Sequence, residues 1–583
     1  MVKSFDYTAG DLQRLLQVAR GEAQADMVLT GGQLVNVLSG EIYPAEVAIC
    51  GDRIAGVSVV PGQYQGHETM DLGGDYIAPG LIDAHVHIES SLLLPVEYAN
   101  AVLPCGTTAV ISDPHEIANV HGLNGIRFML KASEGLALRV FVMLSSCVPA
   151  TDMETSGACL TAADLVSLVG EPRVLGVAEM MNYPGVICGA PDMVEKALMG
   201  HERGIPVDGH APLVRGQSLQ AYIAAGITSD HESVGPDEAL EKLRSGLQVL
   251  IREGSTAKNL DALLPIVNGR TARFCSFATD DKQPADLEKE GHIDHIIRRA
   301  VAAGLDPVLA IQMATVNTAR HYGLRDMGAV APGCFADLIT FADLEDLRVT
   351  RTFASGRMVA ENGKLLERQT NSTLLPPNRI VTPGLSKESF AIKAEGKSAR
   401  VILARPEQIV TGSAIEDVVS IGGYVVASPD RDLLKIAVVE RHAGTGNVGV
   451  GLLRGFGLKR GAMASSVAHD SHNVVVVGTS DEDMLLAVST VVGMSGGICA
   501  VESGGVLAAL PLPVAGLMSD APLDRVRDGM DRLLDAARSL GCQLDNPYMA
   551  MAFLALPVIP ELKITDKGLV DVSAFQLVPL FID

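Results

Sequence analysis

The run Gly80-Leu81-Ile82-Asp83-Ala84-His85-Val86-His87-Ile88-Glu89 sets two histidines one residue apart at the end of a short apolar stretch. Read as a strand, it alternates its side chains between two faces, so His85 and His87 point to the same side. Two imidazoles on one face at a strand end suit one divalent metal, with the remaining ligands coming from elsewhere in the chain. A bare His-x-His is a short motif, and two histidines satisfied by backbone groups is its plainer reading. What tips the balance is the company these histidines keep along the chain.

Downstream of this run, from about Ile77 to Leu324, strand and helix patterns alternate. Eight strands are expected: Leu81–His87, Thr108–Asp113, Arg139–Ser145, Arg173–Glu179, Ile205–His210, Ile227–His231, Leu247–Arg252 and Arg273–Thr279. Helical patterns such as Pro95–Leu103, Gly122–Glu134, Ala190–Arg203 and Pro236–Arg244 lie between them. Eight strand-then-helix units in about 250 residues have the length and order of a (β/α)8 TIM-like barrel. An open doubly wound sheet is the competing architecture, but no Gly-x-Gly-x-x-Gly follows an early strand.

In such a barrel the C-terminal ends of the strands converge on one face, where chemistry sits. Metal-type side chains stand at these ends: His85 and His87 on the first strand, Glu179 on the fourth, His210 on the fifth, His231 on the sixth and Asp280 just after the eighth. Each alone reads as a capping or satisfied polar residue; six at matching ends read as a metal centre. Six ligands exceed the need of one ion with an open position, and Glu179 is placed to be shared by two. An imidazole and carboxylate mix suits manganese, iron or zinc.

The flanks have a different texture. Met27–Thr30, Gln33–Val37, Glu46–Cys50 and Arg53–Val57 read as short strands broken by Gly and Asp, and similar runs return at Ala336–Phe341 and Arg357–Lys364. One small β domain assembled from both sides of an inserted barrel is expected, with boundaries at 1–76 (including an amphipathic N-terminal helix), 77–328 for the barrel and 329–385 for the second β part. After a Pro-containing linker, residues 386–583 mix β-rich runs such as Ile436–Val439 and Val474–Val477 with helices such as Glu482–Val492 and Pro522–Ser539, a separate α+β domain.

The totals bound the partners. The 583 residues carry 46 Lys and Arg against 69 Asp and Glu, a formal net charge of −23. That argues against nucleic acid or an anionic membrane surface, both of which need clustered cations. Nine scattered cysteines without a CxxC pair, no basic-flanked apolar leader and no eighteen-residue apolar run point to a reduced, cytoplasmic protein that does not span a membrane.

At this point the chain resembles the amidohydrolase superfamily, through Pro79–His87, the later single histidines and aspartate, Ala331-Pro332-Gly333 and Asn362-Gly363-Lys364. Within it, the chain resembles the bacterial adenine deaminase branch. Val177-Ala178-Glu179-Met180-Met181-Asn182 carries a glutamate where much of the superfamily has a carboxylated lysine. His87-Ile88-Glu89-Ser90-Ser91, Ser112–Val120, Val439–His442, Gly444–Asn447 and Ala468–Asn473 are similar to that branch too. The resemblance implies hydrolysis of adenine to hypoxanthine and ammonia in purine salvage, by a hydroxide shared between two divalent ions, manganese first and iron or zinc as alternatives. A purine base is the small-molecule partner, and a homodimer the expected assembly.

Asp280 is the expected general base. A ring nitrogen must also be protonated. Glu116 is the first candidate and Glu89 the second; Glu89, Asp113 and His115 are also expected as substrate contacts, and the group could form an auxiliary metal site. The bland alternative is that Asp113-Pro114 simply opens a helix. Arg252 is expected to touch substrate or fix a loop. His469, Asp470 and His472 are expected either to cover the barrel mouth or to form an interdomain hydrogen-bond network. The runner-up chemistry is opening of a cyclic amide, as in dihydroorotase-like or hydantoinase-like enzymes.

Overall fold

The computed structural model describes residues 8–378, 380–406 and 408–582. All eight expected strands are present, each within two residues of the expected ends: Leu81–Val86, Thr107–Ser112, Arg139–Leu144, Val174–Met180, Val207–Gly209, Ser229–Asp230, Gln248–Arg252 and Cys275–Ala278. The first five pair in parallel as one ladder and the last three as another. Two seams join the ladders into a barrel. Thr228 N–H donates to Val207 O at 2.8 Å, linking the fifth strand to the sixth. On the other side Asp280 N–H donates to His85 O at 3.0 Å and His87 N–H to Asp280 O at 3.2 Å.

That second seam holds Asp280 at φ 57°, in the left-handed region that a residue with a Cβ enters only at a cost. Its two backbone bonds to the first strand fix it there. The eighth strand thus closes the barrel with the residue that the sequence marks as a ligand.

Helices between the strands begin as the sequence suggests. Pro95–Val102, Pro191–Arg203 and Pro236–Arg244 each start on proline, whose missing N–H costs nothing in a first helical turn. Gly204 ends the second of these at φ 62°, the left-handed cap that glycine adopts without strain.

A nine-stranded sheet draws on both flanks. Leu338–Phe341 pairs with Tyr76–Pro79, which pairs with Ala25–Asn36, and the sheet continues to Glu41–Cys50 and Arg53–Ser58. One correction applies here. Met27–Thr30 and Gln33–Val37, expected as two strands, form the single strand Ala25–Asn36 with a register shift between Leu29 and Gly32. Gly31 at φ 67° takes up the irregularity, so the glycine pair marks a bulge and not a chain reversal.

The C-terminal region builds a second nine-stranded sheet with helices Asp481–Gly493 and Leu523–Ser539. Val474–Val477 is wholly buried, as a continuous apolar strand run requires. This domain docks on the mouth of the barrel. Thr155 N–H donates to Asp566 Oδ1 at 2.8 Å, Asn473 Nδ2 to Thr155 O at 2.8 Å, and Ser519 N–H to Leu92 O at 2.8 Å. Cys147, Ala150 and Met181 of the barrel share an apolar cluster with Met549, Phe553, Leu556, Val558 and Ile559.

Candidate active site

The ends of four barrel strands and the turn after the eighth bring His85, His87, Glu179, His210, His231 and Asp280 together, all buried. His85 Nε2 and His87 Nε2 face each other at 3.1 Å. His87 Nδ1 lies 2.9 Å from the Asp113 carbonyl, which only accepts, so Nδ1 carries a proton and Nε2 is the ring atom turned toward the other metal-type side chains. Two ligand nitrogens each about 2.1 Å from one ion lie roughly 3 to 3.4 Å apart. The pair has that spacing.

Glu179 divides its oxygens between two groups. Oε1 faces His87 Nε2 at 3.3 Å and His85 Nε2 at 3.7 Å, while Oε2 faces His210 Nδ1 at 2.6 Å and His231 Nε2 at 3.2 Å. Asp280 Oδ1 joins the first group, 3.2 Å from His87 Nε2 and 3.7 Å from His85 Nε2. Thus His85, His87 and Asp280 form one half and His210 and His231 the other, with Glu179 between them. The donor set fits two divalent ions sharing one carboxylate.

The electrostatics agree. Burial pushes the His87 imidazole down, but hydrogen bonds to Asp280 and Glu179 outweigh it and hold it well above its usual range. Burial, with His231 and His87 nearby, drives His85 well below. Burial would raise Glu179 and Asp280, yet the imidazoles, and for Asp280 also Arg252, hold both well below the usual carboxylate range. His231 is lifted to about 9, its burial outweighed by Glu179. Two buried carboxylates here demand positive charge, which protons or metal ions can supply.

The other candidates divide. Arg252 and His115 line the cleft. Arg252 grips Glu232 with both Nη atoms, donates through Nη1 to Asp280 Oδ2 at 2.8 Å and through Nε to Asn259 Oδ1 at 3.0 Å. Asp113, Glu89 and Glu116 are packed behind the cleft wall. Asp113 Oδ1 accepts from Ser145 Oγ at 3.1 Å and its Oδ2 lies 3.2 Å from His115 Nδ1. It does not cap the helix His115–His121, which has no side-chain cap. Glu89 Oε1 accepts from Ile117 N–H at 3.3 Å; burial, and Glu116 nearby, push its carboxyl up to about 8.

Ser90 Oγ bridges Glu116 Oε1, at 2.6 Å, and Asp281 Oδ1. One hydroxyl hydrogen cannot serve two carboxylates, so one of the acids supplies a second proton. Burial, and the neighbouring Asp280, push Asp281 up. Asp281 lies on the cleft.

Sequence reasoning left out Glu232, Asp281, Met181, Ile409 and Phe553, all of which line the cleft. Glu232 and Asp281 are next to ligands in the chain and were legible as acidic pairs, His231-Glu232 and Asp280-Asp281. Ile409 and Phe553 gave no sign. His469 and Asp470 also line the cleft, so the C-terminal cluster covers the barrel mouth. His469 stacks on Phe553, ring centroids 4.6 Å apart and planes 11° apart. His472 sits deeper, its Nδ1 accepting from Ala468 N–H at 3.2 Å.

A parallel barrel flanked by a two-part β sheet, with this donor set at its strand ends, defines an amidohydrolase. Residues 76–359 match the amidohydrolase family, and residues 408–576 match the adenine deaminase C-terminal domain. The likeness to whole relatives runs nearly end to end. The chain is 48% identical over 572 residues to the adenine deaminase of Desulfatibacillum aliphaticivorans, covering 97% of this chain and 99% of that one. It is 48% identical over 571 residues to adenine deaminase 2 of Carboxydothermus hydrogenoformans (98% and 99%) and 47% over 573 residues to the adenine deaminase of Methanothrix thermoacetophila (98% and 100%). The chain belongs to the adenine deaminase family.

Proposed function

We propose that this protein hydrolyses adenine to hypoxanthine and ammonia, using two divalent cations held by His85, His87, Glu179, His210, His231 and Asp280. Manganese is the ion we assign first, and purine salvage in the cytoplasm the setting. The observation that carries the reading is Glu179 facing both histidine groups at once, in a chain alike to adenine deaminases over nearly its full length. Among the described residues no helix is long and apolar enough to cross a membrane.

Divalent ions held by these residues would supply the Lewis acidity that lowers the pKa of water toward neutrality and makes it a nucleophile for C6 of the ring. The side chains do the rest. Asp280 keeps Oδ2 on Arg252, leaving Oδ1 to take the proton of the attacking water and pass it to the departing amine. Asp281 presents a proton to a ring nitrogen from the cleft wall, and Ser90 connects it to Glu116 behind. Glu116, the acid expected from the sequence, then acts as a reserve and not as the direct donor. Asp113 steadies His87 through its backbone and His115 through its carboxylate. Met181, Ile409, Phe553, Leu556 and Ile559 give a planar base an apolar wall and exclude water.

The test is direct. Manganese-loaded protein mixed with adenine should release ammonia and shift the ultraviolet spectrum to that of hypoxanthine. Ring opening of dihydroorotate or hydantoin, with no turnover of adenine, would overturn the reading.

A further inference from the structure

Lys563 lies on the strand Leu562–Thr565, fully buried. Its Nζ donates to Ile409 O and to Phe553 O, each at 2.9 Å. These carbonyls come from segments more than a hundred residues apart, and both residues line the cleft over the barrel mouth. Phe553 ends the helix Pro547–Phe553, so its carbonyl is one of those a helix leaves unpaired, at the negative end of the helix dipole.

Among the described residues no acid offsets the burial of this amine, which pushes it down to about 7. A lysine kept in such a place without a charged partner is expensive, and an apolar residue would fill the space at lower cost. Its hydrogen bonds are what it adds. Around it, Thr411 Oγ1 donates to Leu562 O at 2.8 Å and Ile564 N–H donates to Leu554 O at 3.0 Å, so the Ile409 loop and the end of the Phe553 helix both dock on this one strand.

We infer that Lys563 is a positioning residue for the substrate: it ties the Ile409 loop to the end of the Phe553 helix and thereby sets the apolar wall that receives the base. The inference rests on the proposed adenine deaminase reading. Lys563 touches neither substrate nor metal; it acts through Ile409, through Phe553 and through the His469 ring stacked on Phe553.

The test compares K563M and K563Q with the wild type in steady-state kinetics on adenine, with metal content measured alongside. K563M should raise KM about tenfold while kcat and metal content stay within about twofold. K563Q, whose amide keeps two N–H donors, should recover part of the loss. An unchanged KM in folded K563M, or a fall in kcat with KM constant, overturns the inference and leaves Lys563 a structural residue. If K563M does not fold, T411V decides. It cuts the neighbouring tie between the same loop and strand, and should raise KM about threefold; an unchanged KM overturns the inference equally. Wild-type turnover of adenine tests the functional reading, and only the variant-to-wild-type ratio tests this one.

Discussion

Arg252 Nη1 donates to Asp280 Oδ2 at 2.8 Å, which turns Asp280 Oδ1 toward His87 Nε2 at 3.2 Å. The guanidinium therefore decides which oxygen of Asp280, the base we propose, is free. Replacing Arg252 by Met should lower kcat by roughly 10²-fold, since the base loses its orientation and a buried carboxylate loses its partner. Stopped-time ammonia release measures this. A variant with wild-type kcat would remove Arg252 from the account.

Glu179 is the only carboxylate that reaches both histidine groups among the six. Glu179→Gln should reduce bound metal from two ions per chain to one or fewer, and kcat by about 10³-fold or more. Metal analysis of the purified variant tests the first and the adenine assay the second. Chelation of the wild type should abolish activity, with manganese restoring it best.

The Glu116–Ser90–Asp281 chain predicts a different signature. Ser90→Ala leaves every metal-facing side chain in place but breaks the hydrogen-bonded path between the two acids. We expect kcat to fall about 10-fold to 100-fold with metal content and KM little changed. Equal rates for S90A and wild type would disconnect Glu116 from the chemistry.

Phe553 is held on one face by His469 and borders the cleft. Phe553→Ala should raise KM about tenfold, since stacking an aromatic on a base is worth about 1–3 kcal/mol. The loss should appear in KM before kcat. The reverse pattern would mean that Phe553 orients the reacting groups and not the base.

Lys563 also makes a stability prediction. Its folded pKa, about 7, lies below the unfolded value near 10.4, so between those pH values the unfolded chain binds more protons than the folded one. Its contribution is therefore full above the unfolded pKa and is lost as pH falls toward 7, on the order of 4 kcal/mol in all. Thermal unfolding at pH 7 and pH 9.5 should show wild type gaining on K563M at the higher pH. A pH-independent difference would mean that Lys563 titrates normally.

Much of this was legible from the chain. His85 and His87 share a face because strand side chains repeat every two residues, and the eight strands announce themselves by apolar runs that end in a polar residue. Local chemistry also placed prolines at helix starts. It failed where one local pattern serves two outcomes. Gly31-Gly32 reads as a turn and is a bulge; Asp113-Pro114 reads as a cap, and Asp113 instead serves His115 and Ser145.

The order of residues, through hydrophobic period and strand-end polarity, was enough to determine a barrel, a cluster of metal-type side chains at its strand ends and the likeness to a family. Tertiary structure alone decided which acid reaches the cleft, how Arg252 turns Asp280, and that Ile409, Phe553 and Lys563 meet above the barrel mouth. The reason is physical. Periodicity is a short-range property written along the backbone, whereas a pocket wall is made by domain docking, and burial of apolar surface carries no label in the chain for where it will be buried.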